Sequence, residues 1–504
     1  MLNNVPLLWV TILAPLGVAL LIAFVRDKKT TAILASLSLF VSATCLLVAY
    51  VEHGANNPWL DPLSFNIGGL GMFGLMLDAP SFLVAFSIAL TTALIALYSL
   101  PYMEHRFEEM AHEGLNPPGW RSYYFLYVLF SLAMIGTVLS TNIIEFYVFL
   151  ELTLIPSFLL IAFYGYGDRI RIAIMYLLWT HVGALLFLIG ALTVGFQKGF
   201  DFIDPSGAYK VGVGEGVAIA AYAFWLMIIG LSVKLAVLGV HMWLPYAHAE
   251  APTPISALLS PNLIGLGGAM MFKIVYVMFP KTFASNGPVL TIWALATIIY
   301  GGLMALNQTD FKRLLAYSSI SQMGYLLLGL STTTPYGVAG TFMHYMVHAF
   351  GKAVLFGVAG TIIVTYNGLR DITKMGGLAE KMPYTASLAL LGFMHITGIP
   401  PTAGLWSEYL IVRGTVERAL QLGSSWYIGT ALALLVGIGL STAYAFLTMR
   451  RVFYGALKVN GAHEAKSQLL VPLLALAAVG ILAFLLASPL IDPLVRQLSQ
   501  VMSP

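Results

Sequence analysis

Residues Trp225 to Lys273 read WLMIIGLSVKLAVLGVHMWLPYAHAEAPTPISALLSPNLIGLGGAMMFK. Lys234 stands in the middle of one apolar run and Lys273 near the end of the next, with a junction rich in His, Pro and Glu between them. A charge at the centre of a membrane helix costs roughly 2.5 to 3.5 kcal/mol on insertion scales, so it persists where it meets a partner or a water-filled cavity. The stretch therefore reads as half of an ion pathway.

The whole chain supports a membrane setting. Hydrophobic residues make up 59% of the 504 and charged residues 9%, whereas an ordinary soluble domain is about a quarter charged. The net charge of +3 is small and scattered, which argues against nucleic acid as a partner. Cys45 is the single cysteine and lies in an apolar run, which excludes a disulfide framework, a thiolate zinc site and a cysteine-ligated iron-sulfur cluster within this chain. Redox chemistry must sit elsewhere.

Apolar runs long enough to span about 30 Å as helices fall near 5–25, 32–51, 79–100, 122–141, 143–166, 172–196, 217–240, 252–279, 288–307, 313–332, 337–365, 385–412, 426–449 and 469–490. The expectation is an all-α polytopic membrane protein of about fourteen helices. The first run is followed, not preceded, by basic residues (Arg26, Lys28, Lys29), the reverse of a secretory signal, so it is expected to be retained. Sixteen of the 25 Lys and Arg residues fall in connections after odd-numbered helices, Arg106 and Lys312 among them, and six after even-numbered ones. Positive loops face the cytoplasm. Both termini are thus expected on the other side of a prokaryotic cell membrane.

Two helices carry interruptions. In the twelfth, GIPPTAG (Gly398 to Gly404) places Pro400 and Pro401 mid-run, where each removes a backbone donor and crowds the preceding turn. In the seventh, Gly239, His241 and Pro245 invite local unwinding. Broken helices at matching places suggest inverted repeats with an ion path between them. The organisation expected is 1–121 with helices 1 to 3, a first five-helix repeat over 122–279, a second over 288–455, and a fourteenth helix with its tail over 456–504.

Eleven intramembrane ionisable residues suit a proton relay: Glu145, Glu151, His181, Lys234, His241, His248, Lys273, His344, His348, Lys352 and Glu408. A Glu and a Lys about 8 Å apart at an effective dielectric near 20 attract by roughly 2 kcal/mol, enough to move a proton on or off a neighbour. His344, His348 and Lys352 recur every four residues and share a helical face. Plainer readings stand beside these: a structural Glu151–Lys234 ion pair, an interfacial Glu145, a core histidine at His181, and a solvated connector from Glu104 to Glu113. His344 and His348 have the spacing of a helical metal pair, yet no nearby carboxylate or cysteine completes a site.

The segments LELTLIPSFLLI, VKLAVLGVHMWLPYAHAEAPTPISALL, DFKRLLAYSSISQMGYL, MHYMVHAFGKAVLF and GIPPTAGLWSEYL together resemble the antiporter-like subunits shared by respiratory complex I, membrane-bound hydrogenases and multi-subunit sodium/proton antiporters. The likeness covers about 120 to 455, and Glu408 resembles the complex I subunit M type (mitochondrial subunit 4). It implies a proton-pumping module with no cofactor of its own, driven by a peripheral arm of partner subunits holding iron-sulfur clusters and a flavin or nickel-iron centre. By position, Glu151 matches the family's fifth-helix glutamate, Lys234 its seventh-helix lysine, His348 its eleventh-helix histidine and Glu408 its terminal carboxylate. The relay expected is Glu151, Lys234, Lys273, His348 and Glu408, with Glu145, His181, His241, His248, His344 and Lys352 as secondary candidates.

The sequence also departs from the family. Gly265 stands where the eighth-helix lysine is usual, with Lys273 about two turns on; Gln322 replaces a frequent histidine, and Tyr246 the aspartate of LPDAH. These changes, with Lys352, pull toward the hydrogenase or sulfane-reductase branch. Other readings are a sodium/proton antiporter subunit, a stand-alone solute transporter and a purely structural membrane subunit. An independent redox enzyme fits worst, since the chain has no phosphate-binding glycine loop.

Overall fold

A computed structural model of the chain describes residues 5–503; residues 1–4 and 504, which end the first and last expected segments and carry the termini assigned a side above, lie outside the described residues. The first helices are α1 (Leu7–Ile22), α2 (Lys28–Ala49), α3 (Ala79–His112), α4 (Trp120–Leu139), α5 (Ile143–Tyr164) and α6 (Arg169–Lys198). The seventh run becomes α7 (Ala220–Leu235), the junction after it forms α8 (Trp243–Glu250), and the eighth run holds α9 (Thr253–Leu258) and α10 (Leu266–Met270). After the short α11 (Pro280–Ser285) come α12 (Gly287–Leu306), α13 (Phe311–Ser331) and α14 (Pro335–Thr365). The twelfth run divides into α15 (Pro383–Ile396) and α16 (Gly404–Leu422), followed by α17 (Ser425–Val452), α18 (Ser467–Leu485) and α19 (Ala487–Met502). Every apolar run is helical, and ten helices are each long and apolar enough to cross a membrane. The fold is that of a helical multi-pass membrane protein.

The fold is all-α apart from one addition: β1 (Trp59–Asn66) and β2 (Met72–Leu77) form an antiparallel hairpin with a register irregularity between Leu60 and Ser64. Two expectations need correction. The connector from Glu104 to Glu113 is largely the end of α3, and Arg106 within it is fully buried, donating to the carbonyls of Tyr164 (3.3 Å) and Gly165 (2.7 Å). The long stem of arginine lets a helical residue reach the free carbonyls closing α5. Lys312, assigned to a loop, lies in the first turn of α13 and is fully buried, its Nζ donating to the carbonyls of Ala249 (3.3 Å) and Ala251 (2.5 Å) where α8 ends. A cation suits the negative pole of a helix C-terminus.

The two breaks have local causes. After Leu235, Ala236 (φ 57°) and Gly239 (φ 92°) turn the chain into the left-handed region. Indoles serve the freed backbone: Trp243 Nε1 donates to Val233 O (3.0 Å) and Trp293 Nε1 of α12 to Leu238 O (2.7 Å), while Thr297 Oγ1 accepts from Leu238 N (3.1 Å). In the twelfth run the break spans Thr397 to Ala403, with Gly398 at φ 65°. Thr397 Oγ1 donates to Phe393 O (2.8 Å), and Thr402 Oγ1 to Met394 O (3.0 Å). Such pairing is what lets non-helical backbone persist at membrane depth.

The eighth run loosens instead of breaking. Two π-turn segments, Leu259–Leu263 and Met271–Tyr276, flank α10. Pro261 sits in the first, where it has no N–H to give an α-helical bond. This run and α14 occupy the centre of the fold and are buried almost throughout, whereas α6, α12, α17 and α18 bury one face and expose apolar side chains on the other. The hairpin lies at one end of the bundle beside α19, where Gln497 accepts from Ala79 N (2.8 Å) and donates to Gly54 O (2.7 Å). Arg106 and Lys312 mark the opposite end.

Candidate functional site

The α7 break sets Lys234 in the last turn of α7, 5% exposed. Its Nζ donates to Thr153 Oγ1 of α5 (3.3 Å). Glu151 does not pair with it directly: its Oε2 meets His181 Nδ1 of α6 at 3.0 Å. Glu151 and Lys234 instead face each other across a cavity of about 10 Å³, walled by Thr180, Phe187 and Gly230 among others, about the room one water needs. His181 is neither a core residue nor isolated, since its side chain is 45% exposed while bonded to Glu151.

The opposite end of the buried line is α14. His344, His348 and Lys352 are all essentially fully buried on one face of it. Lys352 Nζ donates to Leu315 O (3.1 Å) and to Ser318 Oγ of α13. His344 stacks on Tyr325 (ring centroids 5.2 Å apart) and its Nδ1 meets Ser407 Oγ at 3.1 Å, next to Glu408. Glu408, 8% exposed, lies in α16 just past the second break, so close to Gly398 that a side chain there would collide with its carboxylate. That glycine is required twice, by its positive φ and by this approach.

Several polar atoms of these elements have no protein partner. Both ring nitrogens of His248 and His348, both amide atoms of Asn262, His344 Nε2, Ser232 Oγ and Glu408 Oε1 are buried without a hydrogen bond to the protein. Each such group costs about 1 to 3 kcal/mol of desolvation unless something other than the protein meets it. No metal site arises from the histidines: among the described residues no three His, Cys, Asp or Glu side chains converge on one point.

Three residues lie off the expected line. His241 belongs to the break itself, its Nδ1 accepting from Gly239 N (3.2 Å) and its Nε2 meeting Tyr300 OH (3.3 Å). Lys273 is not brought to His348. It sits in the second π-turn segment and donates to Ser81 Oγ (3.0 Å) and Val138 O (2.5 Å), at the hairpin end of α3 and α4. Glu145 is there too, its Oε2 accepting from Gly74 N (3.3 Å) and Thr141 N (3.1 Å). Gly265, where a lysine was expected, has Tyr345 against it: a Cβ would meet that ring at 2.5 Å, and Tyr345 OH donates to Asn262 O (2.7 Å). The ring fills the space a longer side chain would need.

Sequence reading missed Lys312, Arg106, Asp78 and His395 as buried polar groups. Two had a signal. Asp310 and Asp78 cap α13 and α3, accepting from Arg313 N (2.9 Å) and Ser81 N (2.8 Å), and an acidic residue before an apolar run marks a helix start. That start would have placed Lys312 inside the helix.

The family model described as "NADH:quinone oxidoreductase/Mrp antiporter, TM" matches residues 140–435. The chain belongs to this family. Family relatives include the NAD(P)H-quinone oxidoreductase chain 4 1 of Synechococcus sp. (strain JA-3-3Ab), 31% identical over 79% of this chain and 71% of its own. NADH-quinone oxidoreductase subunit M of Rickettsia bellii is 27% identical over 90% and 89%. A chain of respiratory complex I from Thermus thermophilus superposes with a TM-score of 0.81 at 25% identity, covering 99% of this chain and 100% of its own. A chain of the Mrp complex from Dietzia sp. DQ12-45-1b shares the fold with a TM-score of 0.84 at 18% identity, over 100% and 98%.

Proposed function

We propose that this chain is the proton-translocating, antiporter-like membrane subunit of a redox-driven complex of the complex I type. The observation that carries the reading is the line of buried polar groups from Glu151, His181 and Lys234 through His248, Lys352 and His348 to His344, Ser407 and Glu408, with a broken helix beside each terminal charge. The carboxylate, amine and imidazole groups exchange protons, while the protein-unpaired atoms between them suit water. A change in the Glu151–Lys234 separation alters their attraction by a few kcal/mol. That change drives a proton from Lys234 toward His348 and Glu408. Nothing along the line specifies an organic solute, and sodium is the competing cargo.

In this reading the chain crosses the membrane fourteen times. The helices of 122–279 and 288–455 are inverted repeats, and the breaks between α7 and α8 and between α15 and α16 are their matching elements. The end carrying Arg106, Lys312 and most of the basic connections faces the cytoplasm, in a prokaryotic cell membrane. Electron transfer belongs to partner subunits of a peripheral arm, which would hold iron-sulfur clusters and a flavin or nickel-iron centre. This chain has one half-buried cysteine, Cys45, and no metal-binding cluster among the described residues, so its own residues do not fit such groups.

Isolation from native membranes in mild detergent, with identification of co-purifying chains, tests this function. Quinone-reducing and iron-sulfur subunits are expected. A nickel-iron subunit would make the parent complex a hydrogenase, and only small antiporter subunits would replace redox-driven pumping by sodium/proton exchange.

A further inference from the structure

At the hairpin end, away from the line between Lys234 and Glu408, three charged side chains are buried together. Asp78, Lys273 and Glu145 are 1%, 2% and 2% exposed. Hydrogen bonds link their surroundings. Lys273 donates to Ser81, whose own N–H donates to Asp78; it also donates to Val138 O, three residues before Thr141, whose N–H donates to Glu145. Lys273 donates to Ser81 and Val138 and to neither carboxylate directly. Glu145 Oε1 has no hydrogen-bond partner in the protein.

Gly74 and Thr141, whose N–H groups donate to Glu145, also wall a cavity. This cavity of about 120 Å³ opens beneath the hairpin, lined by Gly74, Thr141, Asp201 and Asp204 among others. Only a thin wall separates it from Glu145: the backbone of Gly74 and Thr141, joined by a bond from Thr141 Oγ1 to Gly74 O (3.0 Å). At the mouth, bonds from Ser206 Oγ and Ala208 N hold the Asp204 carboxyl below the usual range, so the opening is negatively charged. Asp201 is anchored by Met72 N (2.9 Å) and Asn142 Nδ2 (2.6 Å), and Tyr209 OH donates to Asp78 Oδ2 (2.6 Å).

We propose that Asp78, Lys273 and Glu145 form a proton-release site of their own, through which protons leave for the hairpin-side cavity. This rests on the proton-pumping reading above. In the step, the Lys273 ammonium gives a proton to the Glu145 carboxylate, leaving an amine and a neutral acid. Glu145 then gives that proton to water in the cavity and returns to carboxylate. The Lys273 amine takes its next proton from water of the pumping route, and Asp78, which keeps its charge, stabilises the ammonium that forms.

Two substitutions separate this from a structural role. Lys273→Arg keeps the positive charge and the bond to Val138 O, but a guanidinium does not release a proton. Glu145→Gln keeps an acceptor for the Gly74 and Thr141 N–H groups and removes the exchangeable acid. The assay uses the native complex in vesicles with the hairpin side facing a lumen that holds a pH-sensitive dye, driven by the complex's own electron donor. Each assembled variant is expected to release protons at least threefold more slowly per electron transferred, and Glu145→Asp to recover most of the loss. Wild-type release by either assembled variant overturns the proposal. Lys234→Met run alongside keeps the two readings distinct: its failure beside normal release by Lys273→Arg refutes only the release site, whereas normal pumping by Lys234→Met refutes the relay.

Discussion

Gly230→Ala isolates the contact that positions Lys234. On α7, Gly230 presses against α6: a Cβ there would lie 2.6 Å from Gly183 O and 2.6 Å from Phe187 N. From the other side, a Cβ on Gly183 would lie 2.6 Å from Val233 Cβ. Ordinary contacts begin near 3.4 Å, so the helices must separate by up to about 0.8 Å. The obstructing atoms at Gly230 are backbone, and no rotamer change relieves them. Overpacking of this kind costs roughly 1 to 3 kcal/mol, and close approach through small residues is what membrane helices pack by. At about 2 °C per kcal/mol for a large domain, the heat-aggregation midpoint of the detergent-solubilised complex should fall by about 2 to 6 °C. Because Gly230 also walls the cavity between Glu151 and Lys234, pumping by the assembled variant should fall as well. An unchanged midpoint with unchanged pumping would refute the packing argument.

Other substitutions probe separate parts of the structure. Trp293→Phe removes the donor to Leu238 O in the α7 break and should cost about 1 to 3 kcal/mol, read as a lower midpoint with no change of partners. Arg106→Met strips the α5 carbonyls of Tyr164 and Gly165 of their donor; an unmet pair of buried acceptors should cost about 2 to 5 kcal/mol, seen as a lower yield of assembled complex. Gly265→Lys restores the lysine expected from the family but collides with Tyr345. It should assemble poorly, and combining it with Tyr345→Ala should recover assembly. Ser407→Ala removes the hydroxyl that His344 Nδ1 meets and should slow pumping more than it lowers the midpoint.

The membrane class and helical runs were legible because the bilayer demands long apolar segments, and Pro400-Pro401 announced its break through missing donors. The α7 break was visible only as an invitation, since the carbonyls of Val233 and Leu238 on either side of Ala236 are met by Trp243 and by Trp293 of a distant helix. The charges most clearly misread were Lys312 and Arg106, because burial of a long cation against helix-end carbonyls depends on partners distant in sequence. The position of Glu151 was readable from its motif, but its pairing with His181 was not: α6 brings that ring from thirty residues away. Lys273 shows the same limit in reverse. Its place near the end of an apolar run was plain, and only the meeting of α3, α4 and the second π-turn segment showed that it serves the hairpin end.

The central claim is that buried charge in this chain carries protons. It is tested most directly by proton uptake into vesicles containing the purified native complex, measured with Lys234→Met and Glu408→Gln under matched electron transfer and matched assembly. The account predicts that both assembled variants translocate fewer protons per electron than wild type. Wild-type translocation by both would contradict it.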